Sequence, residues 1–141
     1  MNDTYATPLS QDAALVAALA ATAMPFSRTA GAQAESWIRT LRLHGQMGSA
    51  MQALGIGEEV LRAEHDAPTP PPEGDVADRV VALAHELAEI DRSNSTNTYY
   101  LLLALLKIYG DVMDRALELH GASAKELLQH LDEMAEHAEA S

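Results

Sequence analysis

The sequence predicts an all-α protein, and three observations carry that prediction. Of the 141 residues, 48% are apolar but only 4% are aromatic. Burial must therefore come from alanines and aliphatic side chains, which favours closely packed helices over a β-sandwich. Segments rich in Val, Ile, Thr and aromatic residues, the composition of strands, are missing. Finally, the chain divides into two halves whose apolar segments follow one another in the same order.

The division lies at DAPTPPPEGD (residues 66–75), which holds four of the six prolines. Consecutive prolines cannot continue a helix and favour an extended, solvated connection. One domain over 1–141 is expected, with repeat one at 9–65, the Pro-rich linker at 66–75 and repeat two at 76–138.

Each half reads as four helices. In the first, AALVAALAATA follows Ser10 and Asp12, both good N-caps, so a helix is expected over residues 11–23. The apolar run resembles the core of a signal peptide. The residues before it carry Asp3 and no Lys or Arg, however, whereas a secretory leader is basic there. Further helices are expected at 35–44, 47–54 and 58–65. In the second half they are expected at 76–91, 98–109, 111–120 and 124–138. YYLLLALLKIYG (residues 99–110) is apolar nearly all round and belongs at the centre of the fold. It is far shorter than the ~20 residues of a spanning helix. Gly110 ends that helix and Asp111 is expected to cap the next.

The halves align. AMQALGIGEEVLR (50–62) lies over ALELHGASAKELL (116–128) without a gap, each with a helix-like stretch ending in Gly55 or Gly121. Glycine is the expected residue there, because the left-handed conformation costs it little. SWIRTLRLHG (36–45) matches YLLLALLKIYG (100–110) with one insertion, and LVAALAATA (15–23) matches VVALAHELA (80–88).

The pattern, with its hydrophobic second helix and following "LG" turn, resembles the Clp N-terminal repeat domain of Clp-type AAA+ unfoldases. TNTYYLLLALL (96–106) is similar to the central motif of that family, and GDVMDRALELHGAS (110–123) and GSAMQALGIG (48–57) to its tail. In AESWIRTL (34–41), Glu35 is retained. The similarity covers residues 9–131. It implies two four-helix repeats in a pseudo-two-fold arrangement. It also implies a non-catalytic, cytoplasmic protein-binding module without cofactor, one that docks substrates, adaptors or an unfoldase in Clp-dependent proteolysis. Members of the family recognise partners, arginine-phosphorylated ones included, through a hydroxyl near the start of each repeat and a Glu. Carried onto this chain, that pair is Ser10 and Glu35, twenty-five residues apart. A Glu pairs a guanidinium with forked geometry, and a hydroxyl bonds a phosphate. In repeat two the matching places hold Gly74 and Tyr99, and the family's His is replaced by Ser36 and Tyr100. The alternative is a helical scaffold unconnected with proteolysis.

The residues exclude several chemistries. A net charge of −12 with only nine Lys and Arg argues against nucleic acid and against an anionic membrane, and suits cationic partners. No cysteine is present for thiolate chemistry or Cys-based zinc sites. No Walker sequence or G-x-S-x-G occurs. HELAE (85–89) ends in Glu where a zincin helix has His, and is taken as an exposed helix face. Glu126/His130 and Glu133/His137 are i,i+4 pairs, read as solvated surface pairs in preference to a metal site. Trp37 is read as core, while Arg39 and Arg42 on the same helix point to a partly exposed docking face.

Overall fold

The computed structural model describes residues 8–57 and 70–140, with side chains through residue 133. Among these residues the fold is all-helical. Its seven helices are α1 (Gln11–Ala23), α2 (Ala30–Arg42), α3 (Gly45–Ala53), α4 (Val76–Ile90), α5 (Thr98–Tyr109), α6 (Asp111–His120) and α7 (Ala124–Ala140). A short 3-10 turn, Met24–Phe26, follows α1. The extended backbone makes a single parallel bridge, Leu9 to Thr96. No helix among the described residues is long and apolar enough to cross a membrane.

α5 is the centre. It packs against α1, α2, α3, α4 and α6, most extensively α4. Leu101, Leu102, Ala104 and Leu105 are fully buried, and Lys107 is the one exposed residue of the helix. Each buried leucine contributes roughly 1.5–3 kcal/mol relative to exposure. Asn97 starts the helix by accepting the Tyr99 N–H (3.0 Å) on its side chain.

The caps explain most boundaries. Ser10 Oγ accepts the Ala13 N–H at 3.1 Å, so Ser10, not Asp12, opens α1. Asp75 does the same for α4 through Asp78. At α7, Ser123 and Glu126 form a reciprocal capping box, and Asp114 Oδ1 accepts the Ala124 N–H at 2.8 Å. Gly55 and Gly121 end α3 and α6 in the left-handed region, φ +79° and +139°. Behind each, the next N–H reaches back five residues, Ile56 to Met51 (2.9 Å) and Ala122 to Leu117 (3.4 Å).

Four expectations need correction. The second helix begins at Ala30, five residues before the expected start. Thr29 caps it by accepting the Ala32 N–H at 3.1 Å. It also ends at Arg42, and α3 starts at Gly45. α3 crosses the end of α2 so closely that a Cβ on Gly48 would lie 2.6 Å from the Arg42 carbonyl oxygen. Asp111 is not a cap, since Gly110 occupies the N-cap of α6 and Asp111 lies in its first turn. His85 is buried rather than on an exposed face, within 2.8 Å of the Thr96 hydroxyl. The expected helix at 58–65 and the side chain of His137 lie outside the described residues.

Candidate functional site

The site is a cleft where α2, the end of α6 and the turn after α3 meet. α2 and α6 pack together, and their register brings Glu35 to His120. His120 Nε2 is 2.6 Å from Glu35 Oε1, and His120 Nδ1 is 2.9 Å from the Gly57 carbonyl oxygen. The Gly57 N–H returns a bond to the His120 carbonyl (3.3 Å). The imidazole is buried, while the Glu35 side chain retains 31% exposure.

Each ring nitrogen faces an oxygen, so the imidazole is held on one side by Glu35 and on the other by the Gly57 carbonyl.

The remaining wall is cationic and apolar. Arg39 is exposed on α2, and Arg42 is half-buried with its Nε donating to the Ile56 carbonyl at 3.1 Å. Ile38 is buried beneath them, and Leu43 stands exposed at the rim. These four, with Glu35, Gly57 and His120, line a cavity of about 150 Å³.

Of the two expected binding residues, the cleft contains one. Glu35 lines it, and Ser10 does not. Ser10 instead caps α1, and its backbone N–H donates to the Thr96 carbonyl at 3.0 Å. Residue-level reasoning missed His120, whose ring meets Glu35 across 85 residues of sequence. The available signal was a histidine next to the Gly121 helix end, which places it at a junction. Arg39 and Arg42, expected on a partly exposed helix, both line the cleft.

A second polar group lies deeper and connects α2 to α5. The Tyr109 hydroxyl donates to Gln33 Oε1 at 2.6 Å. Burial pushes the Tyr109 phenol up to about 12, with the Trp37 indole and the Arg79 charge pulling weakly the other way. The Trp37 N–H is the one buried side-chain polar atom left without a hydrogen-bond partner among the described residues. No group of three or more His, Asp or Glu that would hold a metal ion occurs among them.

Against models of known protein families the chain finds no match, and no curated protein matches it.

Proposed function

We propose that this chain is a non-catalytic, cytoplasmic protein-binding module of the Clp N-terminal domain type, accessory to Clp-dependent regulated proteolysis. It docks an unfoldase, an adaptor or protease substrates through the α2–α6 cleft. The fold underlying it is a pair of four-helix repeats related by a pseudo-two-fold axis.

The observation that carries this reading is the equivalence of the two helix ends. The gapless alignment puts Gly55 on Gly121 and Ile56 on Ala122, and each pair shares the same left-handed turn and five-residue return bond. Met51 and Leu117, the acceptors, are both fully buried. The packing has the same exchange symmetry, with α2 against α6 and α3 against α5. The cleft adds what a scaffold does not require: a buried imidazole, two guanidinium groups and an exposed leucine around one concavity.

Affinity capture of the tagged chain from its native lysate, with mass spectrometry of the eluate, tests the proposal. A Clp unfoldase, its protease or its clients in the eluate is the expected result. A single unrelated partner with no Clp component overturns the proteolysis reading in favour of a scaffold.

A further inference from the structure

The expectation for Glu35 is a bare carboxylate awaiting a guanidinium. The geometry of the cleft removes that vacancy. Glu35 Oε1 is already 2.6 Å from a buried imidazole, so the carboxylate is engaged from within the chain. Among the described lining residues, the other charged side chains are Arg39 and Arg42. Arg39 makes no hydrogen bond or ion pair among the described residues. Arg42 commits only its Nε, to the Ile56 carbonyl, which holds the guanidinium in place and leaves its terminal nitrogens available. The cleft therefore attracts anions, although the chain as a whole carries −12. At physiological ionic strength charges farther than about 8 Å are largely screened, so the charges lining the cleft weigh most.

We infer that the cleft binds a carboxylate-bearing peptide segment, Arg39 and Arg42 taking the carboxylate and Ile38 and Leu43 an adjoining aliphatic side chain. A guanidinium fork matches the planar, two-oxygen geometry of a carboxylate. The volume of about 150 Å³ suits one side chain or chain terminus rather than a whole helix. The inference rests on the reading of the cleft as a protein-docking site and specifies the chemistry of what docks.

The test is fluorescence anisotropy with a fluorescein-labelled peptide, Gly-Ser-Gly-Leu-Leu-Glu with a free C-terminus. Its C-terminal amide, a version with Gln for Glu and one with Arg for Glu are measured beside it. The full chain is used in its natural form and with Glu58→Gln/Glu59→Gln, so that the carboxylates following Gly57 in the sequence do not compete. Saturable binding is expected, weakened roughly tenfold or more by Arg39→Ala and partly retained by Arg39→Lys. Loss on amidation assigns a terminal carboxylate, and loss on the Gln exchange assigns a side-chain one; both support the inference. Equal binding of all four peptides, preference for the Arg peptide, or no binding on either background overturns it. Capture of a Clp component with no carboxylate preference would leave the proposed function standing and remove this inference alone.

Discussion

α2 and α5 align with one another in the sequence and differ sharply in their exposure. Both bury one face in the same core, α2 through Ala34, Trp37, Ile38 and Leu41, α5 through Leu101, Leu102, Ala104 and Leu105. Beyond that they diverge. α5 is wrapped by five helices and keeps only Lys107 in solvent. α2 keeps Arg39 exposed and Glu35 half-exposed, and its open side forms the cleft. A helix that is apolar all round is thus enclosed as a core element, whereas one with charges on one side keeps that side open.

The comparison breaks most readily at the shared core. Trp37→Ala is expected to cost about 4 kcal/mol and Leu105→Ala about 3 kcal/mol in urea-melt stability, because each empties a fully buried site. Near-equal losses would mean α2 is anchored as firmly as α5. A loss under about 1 kcal/mol for Trp37→Ala would show α2 to be only loosely attached.

The link between the two helices is sharpened by alkali. The folded state holds the Tyr109 phenol protonated up to about 12, above its ordinary value of 10. Its contribution is complete below pH 10 and is lost as the pH rises toward 12, because the unfolded chain releases that proton first. The loss amounts to at most roughly 2.7 kcal/mol. In Tyr109→Phe the slope of stability between pH 9 and 12 should shrink, with burial of the raised Tyr99 and Tyr100 phenols supplying the remainder. An unchanged slope would place the alkaline sensitivity elsewhere.

Gly48→Ala tests what shapes the cleft end of α2. The added Cβ would meet the Leu41 and Arg42 carbonyls at 2.8 and 2.6 Å, contacts with backbone that a side-chain rotation cannot relieve. A thermal-melt loss of about 2 kcal/mol is expected. The corresponding change at exposed Ala53 should be silent, so Ala53→Ser serves as the control.

How much of this the sequence foretold follows from the range of the interactions involved. α5 and the Gly55 and Gly121 helix ends were legible because pattern and cap lie within a few residues. The start of α2 was not. Ala30, Gly31 and Ala32 carry no amphipathic signal, and the Thr29 cap, the core contacts of Ala30 and Ala34 and the Gln33 bonds to Ser27 and Tyr109 hold that turn. His85 looked like a surface residue because its partner Thr96 comes from the loop before α5. The cleft was half legible. Arg39 and Arg42 announced an open face, but His120 reaches Glu35 only through the packing of α6 on α2, which no local pattern encodes.

The smallest expected stability effects are the most informative about function. Arg39→Ala and Lys107→Ala each remove an exposed cation, one from each helix, and both should shift stability by less than about 0.5 kcal/mol. Only the first should alter binding.

That difference sets the decisive measurement: quantitative affinity capture with the natural chain, an Arg39→Ala/Leu43→Ser variant of the cleft, and a Leu15→Ser/Leu19→Ser variant of the exposed α1 face. Clp components should be recovered by the natural chain and the α1 variant and lost with the cleft variant. Equal recovery by all three, or no Clp component from any, would contradict the assignment of α2 as the docking helix of a Clp-type module.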